Sequence, residues 1–232
     1  EDRLVGREFS LLTMVSDTHY ASLPICQDHK RALDGDLGPN TGGMGTYSPV
    51  AWVDDALVRT AEQEVVEPIL REFGRQGVPF RGTLFSGIMV QDDQPYCLEY
   101  NVRFGDPEMQ SVALRIGSGF VQALEDCAHG RQVSPPEVLS NAAVTVVVAS
   151  GGYPGDYRKG LPIEIGLLPE GVRVFHAGTV LKDGKLVTNG GRVLGVAASA
   201  PTFEEARALA YEACGAVSFD GAFYRRDIGA GG

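Results

Sequence analysis

A chain of 232 residues with 44% hydrophobic and 22% charged residues has the make-up of an ordinary globular protein, long enough for one large domain or two small ones. The 30 acids outweigh the 20 bases and leave a net charge of −10. This argues against a general nucleic-acid binder, which carries a basic patch or domain; a small phosphorylated substrate needs only a few local cations and stays possible. No apolar run reaches the roughly 18 residues of a membrane-spanning helix. Cys26, Cys97, Cys127 and Cys214 are scattered without a C-x-x-C pair, so neither a zinc site nor a disulfide framework is expected, and reduced thiols in a cytoplasmic protein are the plain reading. The start, Glu1-Asp2-Arg3-Leu4, is neither a signal peptide nor an initiation site, which suggests a fragment or a processed piece.

In chain order, Glu8 to Val15 has the pattern of a strand, and Leu23 to Pro49 is a long Gly-, Asp- and Pro-rich segment of weak periodicity. Loops of that length inside a compact domain are usually functional. Apolar positions at Leu57, Val58, Ala61, Val65, Ile69 and Phe73 predict a helix over Asp54 to Gln76, kinked or divided by Pro68. Gly82 to Val90 and Tyr96 to Arg103 predict two strands of a hairpin joined across Gln91 to Pro95. Asp106-Pro107-Glu108 combines an N-cap acid, a first-turn proline and a first-turn acid, predicting a helix to about Ile116. A second helix follows from Ser118 to its C-terminal cap, Gly130. Beyond Pro135-Pro136 the composition turns β-rich. Strands are expected over Ala142 to Ala149, Val172 to His176, Gly178 to Leu181, Leu186 to Thr188 and Val193 to Ala198, with a hairpin signal in Lys182-Asp183-Gly184-Lys185. Thr202-Phe203-Glu204-Glu205 is a capping box that opens a last helix to about Val217, and the glycine-ended tail from Ser218 is expected to fray. The chain divides on this reading into an α+β part, 1–135, and a smaller β-rich part, 136–232.

Three motifs carry chemistry. In Glu99-Tyr100-Asn101-Val102-Arg103 a carboxylate, an amide and a guanidinium recur at every second position, which puts them on one face of a strand. Carboxylate and amide oxygens are hard ligands of the kind Mg²⁺ takes when it also binds substrate phosphates, and the arginine can fork onto a phosphate or carboxylate. A solvated strand edge is the competing reading of the alternation alone. Gly38-Pro39-Asn40-Thr41-Gly42-Gly43-Met44-Gly45 could present amides as an anion nest, with charge from Asp28-His29-Lys30-Arg31, or could be a flexible surface loop. It matches neither the dinucleotide fingerprint nor the Walker A motif. Asn189-Gly190-Gly191-Arg192 signals a hairpin turn, with Arg192 either functional or merely exposed. The four histidines show no metal spacing, and no G-x-S-x-G elbow is present.

Taken together, Gln27 to Arg31, Gly38 to Gly45, Glu99 to Glu108, Phe175 to Thr179, Asn189 to Val196 and Ser218 to Gly229 resemble the phosphoribosylamine–glycine ligase (glycinamide ribonucleotide synthetase) family of ATP-grasp enzymes, in order and over nearly the whole chain. The resemblance implies an α+β architecture: the second half of an ATP-grasp fold, an antiparallel sheet with helices, followed by a small β-rich C-terminal domain. It implies that ATP phosphorylates the glycine carboxylate and that the amine of 5-phosphoribosylamine attacks the acyl phosphate, giving glycinamide ribonucleotide for purine biosynthesis. By the same resemblance Glu99 and Asn101 hold Mg²⁺ (or Mn²⁺), and Arg103 attends the acyl phosphate as the catalytic residue. Glu1, Asp2 and Leu4 contact adenine, and Glu8 the ribose. Asp28, Lys30, Asn40, Thr41, Gly42, Gly43, Met44, Gly45 and Asp106 shape the pocket for glycine and phosphoribosylamine, and Arg192 meets the substrate phosphate. Family members carry roughly as much chain again before this point, including a lid that grips the ATP phosphates. The 232 residues are therefore expected to have little activity alone and to work with that N-terminal half. Another ATP-grasp purine ligase and a non-catalytic nucleotide-binding remnant are the alternatives; neither nucleic acid nor membrane is expected as a partner.

Overall fold

The computed structural model describes residues 3–230; Glu1 and Asp2, two of the residues expected at adenine, lie outside them. β1 (Arg7–Ser16) turns through Asp17, at φ 58°, into β2 (His19–Ser22). The segment expected to be irregular from Leu23 to Pro49 is largely ordered. It holds β3 (Gln27–Asp28), β4 (Arg31–Leu33), a 3-10 turn over Asp34–Asp36, β5 (Leu37–Asn40) and β6 (Gly45–Ser48). Strands of two to four residues are too short for alternation to register in a sequence window.

The helical stretch opens with Asp54, whose carboxylate accepts from the Leu57 N–H at 2.8 Å. It comprises α1 (Asp55–Ala61), a π-helical turn over Glu62–Val66 and α2 (Glu67–Arg75). Pro68 is the cause of the division: it lies in the first turn of α2 and has no N–H to return. The wider turn before it lets the Glu67 N–H reach Glu62 O, five residues back. β7 (Arg81–Gln91) and β8 (Gln94–Asn101) meet at a tighter turn than expected. Asp92 and Asp93 take φ 52° and 60°, the left-handed pair of a two-residue hairpin turn.

α3 (Glu108–Ala113) starts one residue later than the sequence signals suggest: Pro107 is its N-cap, and among the described residues no side chain caps it. α4 (Phe120–His129) ends as expected at Gly130, at φ 68°. Then come β9 (Ala142–Ala149), β10 (Glu164–Ile165), β11 (Val172–His176), β12 (Thr179–Lys182), β13 (Lys185–Thr188), β14 (Arg192–Ala200), α5 (Phe203–Cys214) and β15 (Val217–Ser218). In α5 both halves of the Thr202/Glu205 capping box are made.

Two compact units are built from interleaved segments: one from the stretch ending at Gln27 with 49–105 and 116–139, the other from 28–48, 106–115 and the stretch from 140 on. In the first, β2-β1-β7-β8 form an antiparallel sheet. Phe9, Leu11 and Val15 of β1 and Leu84 and Ile88 of β7 pack with Ala61, Val66 and Leu70 of the helical stretch. Alternate residues of β1, Leu12 and Met14, are equally buried, and α4 packs on β1 and β7, so the sheet is covered on both faces. The second unit centres on the sheet β11-β14-β9-β6-β3, whose middle strand β9 is buried throughout. Helices α3 and α5 pack on β9 and β14. Its tail does not fray over the described residues: Phe223 bridges to Ala149, Arg225 is 2% exposed and Ile228 is fully buried.

Candidate functional site

In the first unit, β8 carries the Glu/Asn part of the stripe. Glu99 pairs with Gly87 and Asn101 with Phe85, so the two side chains share a face as the period-2 rule requires. Leu98 is an extra residue at the register shift just before them, a bulge that re-aims the strand end. Gly87 leaves room for Glu99: a Cβ there would lie 3.3 Å from Glu99 Cγ. A carboxylate and an amide oxygen on adjacent same-face positions fit a hard divalent cation that completes its shell from phosphates and water. Arg103 departs from the expected strand: β8 ends at Asn101, and Arg103 lies in the following bend, exposed, with Nη1 donating to the carbonyl of Phe104 at 2.9 Å. The bend leaves Val102 71% exposed, where an extended strand would have placed it opposite the polar face. Glu8, near the start of β1, is half-buried and pairs with Met89. Just before it, a Cβ on Gly6 would lie 1.9 Å from Val90 O, so only glycine allows this approach. Leu4 is half-buried in the segment leading to it.

In the second unit the glycine-rich segment is a built loop, not a flexible one. A ladder ties its two arms: Thr41 N–H donates to Lys30 O at 2.8 Å, Met44 N–H to His29 O at 2.8 Å and His29 N–H to Gly45 O at 3.0 Å. The Thr41 hydroxyl donates to Lys30 O and accepts from the Gly43 N–H at 3.0 Å. Arg192 crosses it from the start of β14. Its Nη1 donates to Gly42 O and Asp106 O, both at 2.7 Å, and lies 3.3 Å from Asp106 Oδ1. Gly43, at φ 109°, lets the backbone press on Asp28, whose Oδ1 would be 2.7 Å from a Cβ. Asn40 and Gly42 are exposed; Met44 is fully buried and Gly45 starts β6, so both face the interior.

Hydroxyls fix the start of α3 beneath this loop. Thr46 Oγ1 and Thr145 Oγ1 lie 2.8 and 2.7 Å from Ser111 Oγ, and Thr46 also donates to Pro107 O. This seats Glu108, 4% exposed, near Asp28. Burial first, then the Glu108 carboxylate, push the Asp28 carboxyl well above its usual range, against the pull of Lys30 and Arg192. Among the described residues Asp28 Oδ1 is buried without a hydrogen-bond partner, which leaves a buried polar atom for a ligand to meet.

The structure thus brings Asp28, Thr41, Gly42, Gly43, Asp106 and Arg192 together in one unit, and Glu99 and Asn101 in the other. Sequence reasoning missed Glu108, which looked like a helix-start acid, and Tyr153, whose hydroxyl accepts from the Gly42 N–H at 3.1 Å. Nothing local marks Tyr153; it lies 111 residues from its partner.

The fold is that of the ATP-grasp enzymes. The biotin carboxylase of Campylobacter jejuni superposes with a TM-score of 0.67 over 94% of this chain and 47% of its own, at 11% identity. Residues 1–109 match the family model "Phosphoribosylglycinamide synthetase, ATP-grasp (A) domain", and residues 143–231 match "Phosphoribosylglycinamide synthetase, C domain". The phosphoribosylamine–glycine ligase of Thermotoga maritima superposes with a TM-score of 0.90 at 42% identity, over 98% of this chain and 57% of that one. The phosphoribosylamine–glycine ligase of Agrobacterium fabrum is 45% identical over 97% of this chain and 54% of its own length. The bifunctional purine biosynthetic protein ADE1 of Schizosaccharomyces pombe is 44% identical over 98% of this chain and 29% of its own. The chain belongs to the phosphoribosylglycinamide synthetase (phosphoribosylamine–glycine ligase) family. It spans about half the length of the single-function relatives it matches.

Proposed function

We propose that the protein in which this chain occurs ligates glycine to 5-phosphoribosylamine at the expense of ATP, through glycyl phosphate, giving glycinamide ribonucleotide. What carries this reading is that a chain aligned over 98% of its length with a phosphoribosylamine–glycine ligase carries an oxygen-ligand pair on β8 and an arginine-crossed glycine loop. In this reading Glu99 and Asn101 hold Mg²⁺ or Mn²⁺, which when bound neutralises charge on the ATP phosphates. Arg103 stabilises charge that develops at the acyl phosphate, and Leu4 and Glu8, with Glu1 and Asp2, take the nucleoside. Asp28, Lys30, Asn40 to Gly45 and Asp106 form the glycine and phosphoribosylamine pocket, and Arg192 is the phosphate contact. Most of this catalysis is positioning.

The reading further divides the chain functionally into an ATP-grasp part, 1–135, and a C-terminal part, 136–232, and places the protein in the cytoplasm. Among the described residues no helix is long and apolar enough to cross a membrane, and none of the four cysteines forms a disulfide. We also hold that the 232 residues alone make little product and act with the remainder of a family-length protein. An assay of glycinamide ribonucleotide formation, with ATP, glycine and phosphoribosylamine omitted in turn and bicarbonate offered in place of glycine, tests the function. Product is expected only with all three; ADP release driven by bicarbonate would overturn the assignment. Steady turnover by the 232-residue chain would overturn the claim about its activity.

A further inference from the structure

Arg225 is the largest fully buried side chain among the described residues, and none of the roles above uses it. Its guanidinium is committed in two directions. Nε and Nη2 fork onto Asp227, both at 2.7 Å, while Nη1 donates to Asp36 Oδ1 at 2.8 Å and to Arg31 O at 3.0 Å. Backbone groups extend the junction: Arg226 N–H donates to Asp34 Oδ1 at 2.7 Å, Gly35 N–H to Asp227 Oδ2 at 2.8 Å and Gly229 N–H to His29 Nε2 at 3.3 Å. On its other side this strap, residues 225–229, is bound to α5. Tyr211 Oη donates to Arg225 O and accepts from the Ile228 N–H, and the Arg207 guanidinium donates to the carbonyls of Ile228 and Arg226.

What the strap grips is the β4–β5 hairpin at its turn, where Gly35 and Asp36 take φ 69° and 53°. That hairpin runs directly into Asn40–Gly45. Attaching the strap for stability alone would need only an apolar contact, since buried ion pairs are often replaced by hydrophobic residues at no loss. A planar fork read by two carboxylates and a carbonyl instead fixes direction and register. We infer that Arg225 is a positioning residue: together with Asp36 and Asp227 it sets the conformation of the β4–β5 hairpin and, through the ladder from His29 to Gly45, of the loop that meets glycine and phosphoribosylamine. The inference rests on the proposed function for its substrates and on the described contacts for its mechanics.

Three variants and two readouts test it. Asp36→Asn alters an exposed side chain (71% exposed) and leaves the core untouched; Arg225→Met removes the fork; Arg225→Lys keeps the charge without it. Amide hydrogen exchange on the 232-residue chain is expected to rise about tenfold over residues 31–45 in Asp36→Asn and more in Arg225→Met, with β9 and β14 unchanged. In the protein in which the chain occurs, the KM for glycine and phosphoribosylamine should rise about fivefold or more, while the KM for ATP stays within about twofold, and Arg225→Lys should not restore either. Unchanged protection over 31–45, a uniform rise that includes β9 and β14, equal shifts in all three KM values, or full rescue by lysine would each overturn the inference. If the unaltered protein shows no glycine-dependent turnover, the proposed function fails, while the exchange comparison still decides whether the strap sets the loop.

Discussion

Gly43 concentrates the requirements of the loop in one residue. Its φ of 109° is closed to side chains, and a Cβ would lie 2.5 Å from Pro107 Cδ and 2.7 Å from Asp28 Oδ1. Gly43→Ala is expected to cost about 2–3 kcal/mol in urea unfolding and to weaken glycine-dependent turnover by about tenfold or more. His29 gives a pH signature. Burial first, then the Arg225 charge, hold its imidazole down to about 4, against an ordinary 6.5. Between those values the unfolded chain takes up a proton that the folded chain refuses. His29's contribution is therefore intact above about pH 6.5 and is lost as pH falls toward about 4, amounting to at most about 3 kcal/mol. Asp28 works with the opposite sign, because its raised carboxyl pKa favours the folded state at low pH. The test is therefore a difference: His29→Gln should flatten the loss of unfolding free energy between about pH 7 and about pH 4.5 relative to the unaltered protein. At this scale the sequence shows residue types whose spacing is local, such as Glu99 and Asn101 on one strand face. It could not show that the strand stops at Asn101, because the bend at Val102 and Arg103 has no glycine or proline to announce it. Nor could it show the roles of Tyr153 and Arg225, whose contacts to Gly42, Arg31 and Asp36 span 111 to 194 residues.

At the scale of elements, local chemistry was readable and short or irregular pieces were not. The Thr202 capping box and the Gly130 cap depend on neighbours within a few residues, and both form as expected. Thr202→Ala should cost about 1 kcal/mol, seen as a Tm lowered by about 2–4 °C. Among the described residues nothing lies within 4 Å of a Cβ built on Gly74 in α2, so Gly74→Ala should stabilise by about 0.5–1 kcal/mol in the same melts. The division of the long helix was legible from Pro68, but not that a π turn would absorb it, since the turn's form depends on which carbonyl the Glu67 N–H reaches. The hairpin turn at Asp92-Asp93 is tighter than the pattern predicts because neither central residue is glycine, although aspartate tolerates the left-handed region. The tail was expected to fray because glycines end it. Its order comes from Arg225 and Ile228, both buried and tied to groups far along the chain, Arg225 to Asp36 and Ile228 to Tyr211.

For the whole molecule, the β7–β8 hairpin and the β-rich second half follow from the alternation and turn signals along the chain, and the family, with its antiparallel sheet, follows from motifs in their order. The interleaving of the two compact units was not legible. The segments 28–48 and 106–115 join a body made mainly of residues beyond 140, and they do so through buried groups such as Thr46, Ser111 and Thr145 that look like ordinary hydroxyls in sequence. The proposal is chemical: in the proposed ligation ATP converts the glycine carboxylate into an acyl phosphate, and attack by the amine forms the amide and expels phosphate carrying one former carboxylate oxygen. Glycine labelled with ¹⁸O in its carboxylate, turned over with ATP and phosphoribosylamine by the protein in which this chain occurs, tests it in a single mass measurement on the released phosphate. The account predicts one ¹⁸O per phosphate, carried from the carboxylate when the amine displaces it; unlabelled phosphate released alongside glycinamide ribonucleotide would contradict it.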